Sequence, residues 1–251
     1  MLTQNDLKYY SALLQKKYRR QEHKFIVEGK KIVEEAIKSK YKCEIVITNE
    51  SFADKNNLVI TDLSEHIRTE IISENNFKKL VDTKTTQGIV AVVTIPSTTN
   101  QVEESENLIV ALEDISDPGN VGSIIRTCDW FGVHRVIVSP DSVDLFNPKV
   151  IRSTMGSIFH MDVYESNDFY ADLVNLKKEG RKVFCSDMNG KNIFSDRIKE
   201  KTVLILSNEA HGPTEAVLKI SDEIITIPKY GNAESLNVAS AAAVMIAELT
   251  K

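Results

Sequence analysis

The chain has 251 residues, 42% hydrophobic and 27% charged, with a net charge of −5, which fits a soluble globular protein of one or two domains. No apolar run approaches the ~20 residues that a membrane span needs. Met1-Leu2-Thr3-Gln4-Asn5-Asp6 lacks the order of a secretory signal, and Cys43, Cys128 and Cys185 are odd in number and outside metal-ligand spacing, so a reduced cytoplasmic compartment is expected.

Residues 4–17 have helical spacing, with Leu7, Tyr10, Leu13 and Leu14 on one face. A basic turn, Lys16-Lys17-Tyr18-Arg19-Arg20, leads to a strand at Phe25-Ile26-Val27, and residues 29–39 return to helical spacing. Strands are predicted at Glu44–Thr48, Leu58–Ile60 and Gly88–Val93, with two helices within 62–81. The set makes an α/β/α domain over residues 1–95. Residues 1–48 carry eleven Lys and Arg against six acids, a local +5 that leaves −10 on the rest. Such a region can collect phosphate contacts by counterion release, although a solvated helix face would look the same. Its candidate RNA contacts are Lys16, Lys17, Arg19, Arg20, Lys24 and Lys30.

Residues 96–107 are polar, acidic and aperiodic, and read as a linker. From Leu108 to Lys251 strands alternate with helices. The predicted strands are Leu108–Leu112, Arg135–Val138, Lys182–Cys185, Val203–Leu206 and Glu223–Ile227. Helices are predicted near 120–131, 168–179, 213–219 and 236–249. This alternation implies an α/β fold with a mainly parallel sheet covered on both faces. The last helix is apolar on more than one face, so it is expected to be buried in its own core or against another subunit.

Three loops in this half leave apolar runs and open into helices. They are Asp117-Pro118-Gly119-Asn120-Val121-Gly122-Ser123, Ser207-Asn208-Glu209-Ala210-His211-Gly212-Pro213, and 227–237 with Ile227-Pro228 and Ser235-Leu236-Asn237. Small residues at strand ends let backbone groups approach a ligand. The loops hold no phosphate-loop or dinucleotide fingerprint, no His/Cys cluster for a metal and no nucleophile elbow. They offer Asn, Ser, Glu, backbone and Arg126. On its helix Arg126 is read as sharing a broad face with Asn120, or else as a plain surface residue. Glu209 is either a site residue or a helix cap, and His211 is expected to be structural.

These loops resemble the three motifs of the SpoU (TrmH-like) class of SPOUT RNA methyltransferases, over nearly all of 108–251. Phe25-Ile26-Val27-Glu28-Gly29 with its following helix is similar to the L30e-like RNA-binding domain that precedes the catalytic domain in ribosomal-RNA members. The resemblance implies S-adenosylmethionine as cofactor, a ribose 2′-hydroxyl as acceptor, a Rossmann-like sheet with a C-terminal trefoil knot, and a homodimer through the C-terminal domain. It puts Ser207, Asn208, Gly212, Ile227 and Leu236 on the cofactor, and Asn120, Arg126, Glu209, Ser235 and Asn237 in the polar catalytic site, with no metal. Members commonly carry glycine where this chain has Ser207; serine is small enough to be tolerated. Asn147-Pro148-Lys149 through Arg152 to Ser157 resembles a further stretch of these enzymes, where Lys149 and Arg152 either touch phosphate or are solvated charge.

The family's arginine is sometimes written as a base. A guanidinium pKa above ~12 makes that expensive, so Arg126 is read as a clamp on a neighbouring phosphate that also stabilises the developing alkoxide. Ribosomal RNA is favoured over transfer RNA. A non-catalytic RNA-binding or assembly protein on the same fold is the different-class alternative, and a Rossmann-like nucleotide enzyme lacks its glycines.

Overall fold

The computed structural model describes residues 2–96, 106–208 and 210–251. It divides into two compact units, one built from the chain before the linker together with Phe146–Phe159, the other from the remainder up to Lys251. Most of the expected linker, residues 97–105, lies outside the described residues, and so does Glu209.

In chain order the first unit has α1 (Gln4–Ala12), α2 (Lys16–Glu22), β1 (Lys24–Glu28), α3 (Lys30–Lys38), β2 (Cys43–Asn49), α4 (Glu50–Lys55), α5 (Asn57–His66), β3 (Thr69–Ile72), α6 (Glu74–Phe77) and β4 (Ile89–Thr94). Among the described residues its sheet has the order β1-β4-β2-β3, with β3 parallel to β2 and the other pairs antiparallel. Leu7, Tyr10 and Leu13 pack with Ile26, Ile45, Ile47, Val90 and Val92 in one core. Ile32, Val33 and Ala36 bury the inner face of α3, which lies against β1 and β4.

Several expectations change here. The helix expected over 4–17 breaks, because Gln15 is extended, and the basic turn is the helix α2. Leu58–Ile60 is helical, within α5. In a strand Leu58 and Ile60 would share a face, yet Leu58 is 86% exposed and Ile60 is buried. Thr69–Ile72 is a strand inside a stretch read as two helices; only Ile72 of its four residues is buried, so its apolar signal is weak.

The second unit contains β5 (Leu108–Glu113), α7 (Pro118–Trp130) and β6 (Arg135–Val138). The chain then passes through α8 (Pro148–Thr154), which packs in the first unit although it lies within the sequence span 108–251. It returns as β7 (Asp162–Glu165), α9 (Phe169–Lys178), β8 (Lys182–Asn192), β9 (Thr202–Ser207), α10 (Glu215–Ile220), β10 (Glu223–Thr226) and α11 (Val238–Leu249). The sheet order is β10-β8-β9-β5-β6-β7, and every pairing among these described strands is parallel. The edge strand β7 escapes the hydrophobic pattern because Val163 and Tyr164 are flanked by Asp162 and Glu165.

Both faces of this sheet are covered, so its central strands are apolar throughout. Ile109, Ala111, Val203 and Ile205 meet Phe169, Leu173, Leu176 and Val217 on one side. The alternate residues Val110, Leu112, Leu204 and Leu206 are also buried, and α7 and α11 pack on each other there. Among the described residues no helix is long and apolar enough to cross a membrane.

Candidate functional site

All six strands of the second unit point their carboxyl ends the same way. From β5 the chain winds outward to β6 and β7; the later strands fill the other side, so the order reverses between β5 and β9. Ligand sites of open α/β sheets form outside the strand ends near such a switch point. Glu113 and Ser207, register partners at the ends of β5 and β9, occupy it here.

A cleft of about 740 Å³ opens on the β9, β8 and β10 side. Ser207, Asn208 and Gly212 form one wall, Ile227, Pro228, Ser235 and Leu236 another, with Val238, Ala241 and Met245 of α11 beneath. Gly190 lets β8 and β10 approach; a Cβ there would lie 2.6 Å from the Ile225 backbone. The cleft lining is thus mainly apolar and small residues, with Asp187, His211, Lys229 and Glu234 as its ionisable members. Its volume lies within the ~300–1,000 Å³ range of small-molecule and cofactor sites, and an apolar lining with few polar groups is their usual chemistry. An adenosine with a cationic methionyl arm fits such a donor set: flat apolar walls for the base, carboxylates for hydroxyls or positive charge.

The second loop is held rigidly. Asn208 Nδ2 donates to the Asp114 carbonyl at 2.9 Å, its Oδ1 accepts from Ala210 N at 2.8 Å, and Gly212 N donates to the Asn208 carbonyl at 2.8 Å. Gly212 has φ of +67°, a conformation that costs a side-chain-bearing residue more than glycine. In the third loop Asn237 caps α11, its Oδ1 accepting from Ala239 N and Ser240 N. Its Nδ2 donates to Asn120 Oδ1 at 2.9 Å, which ties the first loop to the third. Asn120 itself sits in the first turn of α7, below the Asp117 cap.

Of the expected site residues, Ser207, Asn208, Gly212, Ile227, Ser235 and Leu236 line the cleft, and Asn120 and Asn237 bond to each other beside it. Arg126 does neither. Six residues at 3.6 per turn set it about 120° around α7 from Asn120, so the expectation of a shared face fails. It is exposed, with no hydrogen-bond partner among the described residues. Sequence reasoning missed Asp187, Met188 and Asn189, since the strand was read as ending at Cys185. Strand β8 runs on to Asn192, and beyond Cys185 its residues are half-buried or exposed, so no hydrophobic pattern marks the extension.

Cys185 and Cys128 are buried, which pushes the Cys185 thiol up to about 12 and the Cys128 thiol up as well. Neither forms a thiolate near neutral pH.

In the first unit the basic candidates separate. Lys17 and Arg20 are exposed on α2, and Lys16 is half-buried. Arg19 is a correction: it is 2% exposed and donates to the Leu13 carbonyl at 2.9 Å, closing the end of α1 rather than facing RNA. Lys24 pairs with Glu44 at 2.8 Å, and Lys30 donates to Asn56 Oδ1 at 3.1 Å. Arg152 is likewise committed, to Asp82 through both terminal nitrogens and to Glu28 at 3.3 Å.

The second unit is thus a parallel α/β sheet with a cleft of cofactor-site size over β8, β9 and β10, and the first is a small mixed-sheet unit. Residues 107–247 match the SpoU rRNA Methylase family, and residues 4–91 match the MRM3-like substrate binding domain. The chain belongs to the SpoU rRNA methylase family. It is 35% identical over 245 residues to the 23S rRNA (guanosine(2553)-2′-O)-methyltransferase RlmP of Bacillus subtilis, covering 97% of this chain and 95% of that protein. The SpoU methyltransferase AviRb from Streptomyces viridochromogenes, solved in complex with AdoMet, superposes with a TM-score of 0.87 at 25% identity, covering 99% of this chain and 97% of the other. An AdoMet-bound rRNA methyltransferase from Sinorhizobium meliloti superposes with a TM-score of 0.85 at 25% identity, covering 99% and 95%.

Proposed function

We propose that this chain methylates a ribose 2′-hydroxyl of ribosomal RNA with S-adenosylmethionine as donor, in a cytoplasmic compartment. The observation that carries the reading is the mainly apolar cleft lined by residues of the second and third loops, in a chain whose full-length relative acts on 23S rRNA. Similarity along both units favours ribosomal over transfer RNA.

Ser207, Asn208, Gly212, Ile227 and Leu236 would hold the donor, whose sulfonium supplies a methyl group already activated for attack. The protein's task is then alignment, for which preorganised loops are suited. Asn237 and Asn120 keep the third and first loops in register. Arg126 grips the phosphate beside the target ribose and stabilises charge developing on the attacking oxygen. Ser235 lies at the cleft edge, and Glu209 belongs with the same group by its place in the loop. Lys16, Lys17 and Arg20 on α2 supply further phosphate contacts.

The active form is proposed to be a homodimer through α7 and α11, with the family's trefoil knot in the C-terminal half. The support is an apolar surface: Trp130 is 84% exposed at the end of α7, and Val244 is 37% exposed on α11. Association through these two helices would cover both exposed side chains. Trp130→Glu should shift the sedimentation coefficient from dimer to monomer; an unchanged dimer would remove this interface from the proposal.

The direct test is calorimetric titration of the protein with S-adenosylmethionine, followed by mapping of 2′-O-methyl marks in cellular RNA with and without the gene. Loss of one rRNA mark is the expected result. Loss of a tRNA mark with rRNA intact overturns the substrate, and cofactor binding without any lost mark favours the non-catalytic alternative.

A further inference from the structure

One buried carboxylate closes both ends of the second loop. Glu113 is 3% exposed at the end of β5. Its Oε2 accepts from Ser207 Oγ at 2.8 Å and from Thr214 N at 3.2 Å. Its Oε1 accepts from Thr214 Oγ1 at 2.6 Å and from Tyr170 OH at 3.2 Å. Ser207 is the last residue before the loop and Thr214 the first after it, so a single side chain fixes the distance across the loop's base. Thr214 also caps α10, accepting from Val217 N through the same hydroxyl that donates to Glu113.

Burial of a carboxylate is costly unless its lone pairs are satisfied. Here four donors satisfy them, and three of the four come from the two residues that flank one loop, Ser207 and Thr214. Bonds to a charged acceptor are stronger than neutral ones and are directional. The described part of the loop is therefore braced by a group that is absent from the cleft lining, while Asn208, His211, Gly212 and Pro213 line the cleft. The same carboxylate sits at the switch point between β5 and β9. On the β6 and β7 side it lines a smaller cavity of about 320 Å³ with Asp114, Ser139 and Tyr170.

We infer that Glu113 is a positioning residue, which preorganises the 207–214 loop for the donor through Ser207 and Thr214. This rests on the methyltransferase reading above. Glu113 acts through the loop and does not touch the reacting atoms. Removing the negative charge at constant shape leaves an amide NH₂ where a backbone N–H and a hydroxyl now donate. The loop's ends then separate, and the bound geometry becomes a minor state that the donor must select.

The test uses the full chain and two variants, Glu113→Gln and Ser207→Ala, with their double mutant. Amide hydrogen exchange without ligand should rise in residues 208–213 of Glu113→Gln while β5 and β9 stay protected. Calorimetry with S-adenosylmethionine should show a Kd raised about tenfold for Glu113→Gln and about threefold for Ser207→Ala, the range expected for charge-assisted bonds. The double mutant should match Glu113→Gln alone, because both act through one network. At saturating donor, kcat and the KM for RNA of Glu113→Gln should change less than about twofold, a split that general destabilisation does not produce. If Glu113→Gln loses protection throughout the sheet, Ser207→Ala decides through its loop exchange measured without donor. Unchanged exchange in 208–213, or a Kd within experimental error of the parent in both variants, overturns the inference. A parent protein that binds no S-adenosylmethionine, in which loop exchange still rises on substitution, sinks the methyltransferase reading and leaves the loop brace standing.

Discussion

The cleft over β8, β9 and β10 and the first loop lie in the same unit and are built on opposite principles. The cleft is complete: its loops are capped, cross-bonded and braced on the buried Glu113, and its walls are apolar. The first loop is complete only up to Asn120, which is bonded to Asn237. Beyond it, Arg126 and Trp130 stand exposed on α7. A small rigid donor can be met by preformed backbone, whereas a large polyanion is met by charge presented at a surface. The difference suggests that donor affinity and acceptor chemistry can be separated by mutation.

The sharpest way to break this comparison is Arg126→Ala. Single-turnover methyl transfer should fall by about 100-fold or more, the loss usual for one group stabilising a developing oxyanion, with donor Kd unchanged by calorimetry. A parallel loss of donor affinity would merge the two regions. Arg126→Lys refines the role, since a lysine cannot grip phosphate in bidentate fashion. If its rate survives with RNA affinity unchanged, neither clamp nor base remains.

Gly212→Val probes the other side. A β-branched residue at φ +67° is strained by ~1–3 kcal/mol, so donor Kd should rise about tenfold while RNA affinity, read by filter binding, stays the same. Asn237→Ala cuts the α11 cap and the bond to Asn120 together. It should lower unfolding free energy in urea by ~1–2 kcal/mol, and an unaffected midpoint would show that the two loops are held by packing alone.

The smallest expected effect concerns pH. Asp222 accepts from Val183 N at 2.9 Å and pairs with Lys177 at 2.7 Å, joining the start of β10 to β8. Partial burial opposes its charge, but these partners outweigh it and hold its pKa below 3.8. The stabilisation is present above the unfolded pKa and is lost as pH falls through the folded one. Thermal midpoints of the parent should therefore drop more steeply below about pH 4 than those of Asp222→Asn. Parallel curves would show that this pair contributes nothing.

Much of the parallel sheet was legible because β5, β6, β8 and β9 are apolar runs that must be buried on both faces. The cleft residues Ser207, Gly212, Ile227 and Leu236 were legible because small or apolar residues follow those runs directly. Short strands with polar ends, β3 and β7, were not, since edge strands need little apolar surface. Arg19 was misread because a charged side chain satisfied by a backbone carbonyl has the same sequence signature as one in solvent. Asp187 stayed hidden because a strand's length beyond its buried part carries no hydrophobic signal.

By itself, then, the sequence determined the alternation of elements, the parallel sheet and the loops at its strand ends, all of which follow from local spacing of apolar and small residues. Only the tertiary structure decided which side of the switch point opens, that Glu113 sits beneath Ser207 and Thr214 across a separation of about a hundred residues, and that Asn120 meets Asn237. Those pairings depend on strand order in space, which no local pattern of residues encodes.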